Sequence, residues 1–200
     1  MYAIVKDKNI IETFNNPKKL VINDIRYSTK IYSLWTVDEK KTIGLYEVEY
    51  DNSKKKDDEY YTNTNQTIAY KTTGDKVVAS YGNATPKEID DKNGKDENGI
   101  ELDPVVVVKG LKTIKKEMID NQCAGLLAPS DWRVVKAQET ETEMDSGWKT
   151  WRASVRAKCN SMQTQIDNAS DVDALSALFT YTEQEDGSVT RPLGEFPEKE

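Results

Sequence analysis

The sequence predicts an α+β chain. A small antiparallel β module with one short helix comes first, and a C-terminal α-helical hairpin module follows. Three observations carry this. Residues 1–82 hold short β-branched and aromatic stretches separated by Asn, Asp and Gly turns. Residues 83–103 are poor in apolar side chains and rich in Gly, Asn and Asp, which reads as a linker or exposed loop. From Gly110 onward the apolar spacing becomes helical.

In order, Tyr2 to Val5 and Ile10 to Phe14 flank the turn-like Lys6-Asp7-Lys8-Asn9. Leu20 to Ile22 and Ile25 to Tyr27 flank Asn23-Asp24, two residues that tolerate the positive φ of a tight hairpin. Thr36-Val37-Asp38-Glu39 matches a capping box, with Trp35 in the position before it and Gly44 as the stop. Leu45 to Tyr50 alternates cleanly. Tyr60–Tyr70 and Val77–Tyr81 form a further hairpin over Thr73-Gly74-Asp75. The tyrosines at 46, 50, 60, 61, 70 and 81 have two readings, ordinary strand formers or an adaptable contact surface.

Pro104 to Lys109 is an apolar run, either a buried strand or the entry to a helix. Leu111, Ile114, Met118, Ile119 and Cys123 then mark a first amphipathic helix ending near Ala124-Gly125. Pro129, Ser130 and Asp131 start a second piece at Trp132. Trp148, Trp151, Val155, Cys159, Met162 and Ile166 are spaced 3, 4, 4, 3 and 4, one face of a long helix capped by Asp145 or Ser146. Ser170 to Asp173 caps a short helix to Phe179. The expected organisation is a β-rich module at 1–82, the linker at 83–103, the helical module at 104–180 and a mobile arm at 181–200, with docking of its Phe196-Pro197 end on a neighbour as the lesser alternative.

Composition narrows the function. Apolar residues are 36% and charged residues 32%, so the core is thin or shared with a partner. A net charge of −7 argues against general nucleic-acid binding. The start of the chain lacks the apolar region and cleavage site of a signal peptide, and no apolar run approaches the roughly 18 residues of a membrane span. Synthesis in a bacterial cytoplasm fits. Histidine is absent, which removes the commonest general base, the metal imidazole and every His-dependent triad. Cys123 and Cys159 read as buried thiols, with a disulfide between them as the alternative. Asp91, Asn93 and Asp96 do not keep the calcium-loop order, and the Lys54–Lys56 run is cancelled by the acids after it. No catalytic residues, cofactor or metal are expected.

Leu126, Leu127, Ser130, Asp131 and Trp132, followed by Trp148, Trp151, Arg152, Val155 and Arg156, resemble the short C-terminal motif of phage tail assembly chaperone proteins. Trp151 stands where that family usually has Tyr, and Val155 where it usually has Leu. The helix runs on through Asn160, where a Pro commonly follows the motif. The module around Leu34-Trp35-Thr36, Glu39 and Gly44 also resembles the N-terminal part of small tail-associated phage proteins. The resemblance implies a non-enzymatic bacteriophage tail protein, found in the host cytoplasm during assembly or in the virion tail. Its partners would be a tail fibre, tail tube or baseplate protein, with a homo-oligomer in the assembly. Trp132, Trp148, Trp151, Arg152 and Arg156 are the candidate partner-binding residues. The bland alternatives are a Trp core within the hairpin and salt bridges from the arginines to Asp131 or the Glu139–Asp145 run. An acidic host-directed inhibitor and a carboxylate-based hydrolase are the remaining functional alternatives.

Overall fold

The computed structural model describes residues 1–64 and 66–199. It is a mixed α+β structure made of two compact units, Met1–Thr85 and Pro86–Glu200.

In the first unit, β1 (Tyr2–Lys6) and β2 (Asn9–Phe14) form an antiparallel hairpin. Its turn residues Asp7 and Lys8 both have positive φ. β3 (Leu20–Ile22) and β4 (Ile25–Tyr27) pair over Asn23-Asp24, both at positive φ, as that dipeptide predicts. Two short helices follow where one was expected, α1 (Ile31–Leu34) and α2 (Val37–Thr42). The break falls at Thr36, whose extended backbone is needed to cap α2. Its hydroxyl accepts from the Glu39 N–H, and the Glu39 carboxylate accepts from the Thr36 N–H at 2.7 Å. Gly44 ends this region at φ +79°, and a Cβ there would lie 2.4 Å from the Val5 carbonyl oxygen, so glycine is required.

β5 (Leu45–Asp51), β6 (Tyr61–Thr62), β7 (Thr67–Lys71), β8 (Lys76–Ser80) and β9 (Thr85–Pro86) complete the strands of this part of the chain. The main sheet has the order β2-β1-β5-β8-β7. It is not wholly antiparallel as expected, because β8 pairs parallel to β5, Val48 opposite Val77. Val77, Val78 and Ala79 are buried in succession, and such a continuous apolar run belongs in a sheet interior. The β7–β8 hairpin therefore puts β8 inside and leaves the more polar β7 at the edge. Ala3, Tyr46, Val48, Val77 and Ala79 pack on one face. Leu20, Ile31, Tyr32 and Leu45 pack on the other, with Tyr2, Phe14 and Trp35 against them.

The second unit begins with β10 (Lys92–Asn93) and β11 (Val107–Val108), an antiparallel pair. The expected linker at 83–103 is thus partly a hairpin. Its base is tied to the next helix, where the Leu111 N–H donates to the Glu88 carbonyl and the Gly110 N–H to the Asp91 carboxylate at 2.7 Å. The Gly110 N–H, with the Thr113 side chain, holds the Asp91 carboxyl below its ordinary range.

α3 (Leu111–Leu127) buries Leu111, Lys115, Ile119 and Cys123. The core stripe is rotated from the expected one, and Ile114 is exposed. Lys115 lies in the stripe because its stem packs inward while its ammonium sits 4.5 Å from the Phe179 ring centroid. The helix passes through Gly125, which has no positive φ to stop it. A 3-10 turn (Ala128–Ser130) leads to α4 (Asp131–Glu139). α5 (Ser146–Asp167), capped by Asp145, buries Val155, Cys159, Met162 and Ile166, the face its spacing predicts. α6 (Val172–Phe179) is capped by Asp171. β12 (Thr182–Glu183) and β13 (Val189–Thr190) pair around Gly187. The segment expected to be a mobile arm instead packs on the helices. Leu193 is fully buried, its N–H donates to the Leu178 carbonyl, and its own carbonyl accepts from Lys158 Nζ at 2.9 Å.

Candidate partner-binding corner

The turn from α3 into α4 leaves carbonyl groups at the end of α3 without helical partners. Arg152, reaching across from α5, supplies the donors. Its Nη1 donates to the Leu127 carbonyl at 2.8 Å and to the Ser130 hydroxyl, and its Nη2 donates to Asp131 Oδ1 at 2.6 Å. Ser130 is fully buried and in turn donates to the Leu127 carbonyl. A cation at a helix C-terminus is favoured by the macrodipole, and the planar guanidinium serves three acceptors at once. Arg152 is therefore a pin inside the corner. The partner-binding role expected for it is not where the structure puts its hydrogen bonds, because almost all of the side chain is covered.

The tryptophans are placed differently. Trp132, in the first turn of α4, is 54% exposed. Arg133 lies with its guanidinium 4.6 Å from the ring centroids of both Trp132 and Trp148. Trp148 meets Trp151 edge to face at 5.6 Å. Trp151 Nε1 donates to the Pro197 carbonyl at 2.9 Å, so this indole is satisfied within the unit. Lys199 Nζ sits 5.3 Å from the Trp148 ring centroid. The result is a continuous stack of Trp132, Arg133, Trp148 and Trp151 with its open end at Trp132. Cation–π stacking of this kind holds the rings together while Trp132 stays open to solvent.

Arg156 is exposed and lines a cleft of about 400 Å³ with Val134, Met144 and Lys149. Lys149, Arg152 and Arg156 follow one another at helical spacing on α5. Arg152 is pinned, while among the described residues no carboxylate lies within ion-pair distance of Lys149 or Arg156. The cleft mixes apolar side chains, Val134, Ala137 and Met144, with polar ones, and Lys149, Arg152 and Arg156 line it beside Glu143.

Of the five expected site residues, the corner unites all of them on α4 and α5 but divides their roles. Trp132 and Arg156 face outward, Trp148 and Trp151 are half-buried in the stack, and Arg152 is interior. Arg133, Ser130 and Pro197 were missed. Ser130, expected with Asp131 as a cap of α4, stands at the N-cap but makes no side-chain cap bond, because its hydroxyl is turned to the Leu127 carbonyl. Nothing in the local sequence marks Arg133, since its neighbour Trp148 lies across the turn. The two cysteines are both free and buried. Burial, reinforced by Cys123 and Asp120, pushes the Cys159 thiol up to about 12, which makes it a poor nucleophile. Among the described residues no group of His, Cys, Asp and Glu is placed to hold a metal ion, and no helix is long and apolar enough to cross a membrane.

No protein-family model matches the chain, and no curated protein or solved structure matches it.

Proposed function

We propose that this chain is a non-enzymatic bacteriophage tail protein that binds a tail fibre or another tail component through the Trp132 corner and acts in tail or fibre assembly. The single observation that supports the reading most is the exposed Trp132 indole, stacked on Arg133 and mounted on a corner that Arg152 fastens from inside. Residues of the chaperone-like motif on α4 and α5 meet at this one place. Trp and Arg are the side chains that most often dominate binding energy at an interface. The partner inserts apolar surface against Trp132 and the cleft, and places carboxylates near Lys149 and Arg156.

The test is capture from infected-cell lysate with tagged chain, followed by quantitative mass spectrometry of both the captured material and purified particles. Recovery of a tail component by the wild type, with at least a tenfold lower yield for Trp132→Ala, supports the reading. A fixed ratio to a tail protein in particles identifies a subunit that stays, and absence from particles identifies an assembly chaperone. Recovery of no tail component, together with absence from particles, refutes the tail reading.

A further inference from the structure

The last segment of the chain lies on two of the motif tryptophans. Leu193 is its anchor, with the side chain fully buried and the carbonyl accepting from Lys158 Nζ at 2.9 Å. The backbone turns at Gly194, at φ +74°. Glu195 is held by the Tyr181 hydroxyl, which donates at 2.8 Å, and by the Arg191 guanidinium at 3.0 Å. Beyond Glu195 the contacts change character. Residues 196–199 belong to no helix or strand, and none of their side chains is fully covered. The Pro197 carbonyl accepts from Trp151 Nε1 at 2.9 Å, and Lys199 Nζ lies 5.3 Å from the Trp148 ring centroid.

We infer that the Trp148–Trp151 face is a binding site for an extended, proline-containing segment. Residues 196–199 occupy it within the chain, and a partner segment of the same chemistry displaces them. Three observations carry this.

The first is the chemistry of the contact. The Pro197 ring fixes φ near about −65°, and it disfavours a helical backbone at Phe196 before it. Such a segment is extended before it docks, so docking orders it at low entropic cost. Proline-containing ligands are held in this way in grooves lined by aromatic rings. Trp148 and Trp151, edge to face at 5.6 Å, supply the rings, and the Trp151 indole supplies a donor for the backbone carbonyl.

The second is the track on α5. Gly147, Thr150 and Ser154 follow one another at helical spacing beside Trp151. They line a cleft of about 380 Å³ that Glu198 and Lys199 also border. Their small side chains leave the Trp151 ring as one wall of a path for an extended chain.

The third is ease of release. Lifting residues 196–199 away frees the Trp151 indole and uncovers half-buried rings, while Leu193 and Glu195 keep their own contacts. A terminal segment without helix or strand bonds opens at far lower cost than the helices beneath it. The tether at Glu195 keeps the segment at high effective concentration, so it fills the site whenever no competitor is present. The inference deepens the corner reading and takes from it the identity of the partner alone.

The experiment follows the indole N–H signals of the isotope-labelled full chain by NMR, with the Trp151 signal identified by its absence in Trp151→Phe. Phe196→Gly and Pro197→Gly together should release the segment, shift the Trp151 signal and leave the circular dichroism unchanged. A synthetic peptide of residues 194–199, blocked at both ends, should then return the signal to its wild-type position with saturation. The same peptide should bind the wild-type chain roughly tenfold more weakly, because the site is already filled. Adding Trp151→Phe to the released chain should weaken the peptide about fivefold, read from the Trp148 signal, through loss of one hydrogen bond. A peptide with glycine in place of both Phe and Pro should leave the signals unmoved. Four results overturn the proposal: no shift on release, no saturable return with peptide, equal affinity for the wild-type and released chains, or loss of helix in the released chain. No tail protein enters these titrations. A failed capture from lysate therefore falls on the tail reading, and a failed titration falls on this site.

Discussion

The two units use aromatic side chains in opposite ways. In the first, Tyr2, Phe14 and Tyr32 meet in one cluster, with ring centroids 4.7 to 6.3 Å apart, and Tyr27 packs edge-on against Trp35. Tyr46, Tyr60 and Tyr61 are buried, and of the tyrosines read as a possible contact surface only Tyr50 is largely open. In the second unit the aromatic stack runs outward and ends in Trp132. The comparison teaches that aromatic content alone does not identify a binding surface. A sheet with two covered faces absorbs its rings, whereas a helical corner of limited width cannot cover three indoles, one on α4 and two on adjacent turns of α5.

The comparison can be broken most severely in the sheet. Leu45, at the start of β5, is fully buried in one cluster with Leu20, Ile31 and Tyr32, and Leu45→Ala should cost about 2–5 kcal/mol. Urea unfolding followed by amide exchange of the strands reads this, and a smaller loss would mean the thin core can collapse around the gap. Next comes the pin of the helical corner. Arg152→Ala leaves the buried Ser130 hydroxyl without its donor, takes one of two donors from the Leu127 carbonyl and should cost about 2–3 kcal/mol, followed at 222 nm. Arg152→Lys should recover only part of this, because a point charge cannot serve the three acceptors.

Trp132→Ala should move stability by less than about 1 kcal/mol, as expected of an exposed side chain. Partner capture should nonetheless fall at least tenfold. A large stability loss would place Trp132 in the core and erase the contrast with the first unit.

The smallest effect is a pH dependence within the sheet. Tyr70 and Tyr46 both donate to Asp75 Oδ1, at 2.7 and 2.8 Å, which holds the Asp75 carboxyl below its ordinary range and raises the Tyr70 phenol, while burial and then the same bond raise the Tyr46 phenol. A carboxyl depressed on folding contributes stability above its unfolded value of about 3.9, and that contribution is lost as pH falls through the folded value. Acid titration of the Tyr46 and Tyr70 ring signals should therefore show loosening below about pH 4. Asp75→Asn should remove the pH dependence.

Much of this was legible in the sequence because it depends on near neighbours. The Thr36–Glu39 box, the Asn23-Asp24 turn, the stop at Gly44 and the inward face of α5 all follow from residues within a few positions of one another. So did the motif that marks the corner. What the chain itself determined is therefore a two-part α+β molecule whose capping, turns and amphipathic faces are local and self-consistent.

The tertiary structure alone decided the rest. Parallel pairing of β8 with β5 depends on which hairpin strand is apolar enough for a sheet interior, a competition between distant segments. The packing of the last segment depends on Leu193 finding Leu178 and Lys158. The division of labour between Arg152 and Arg156 depends on which of two similar cations reaches the end of α3. Local spacing makes those arginines equivalent, and only the position of the α3 carbonyls, 25 residues before Arg152, separates the pin from the open charge.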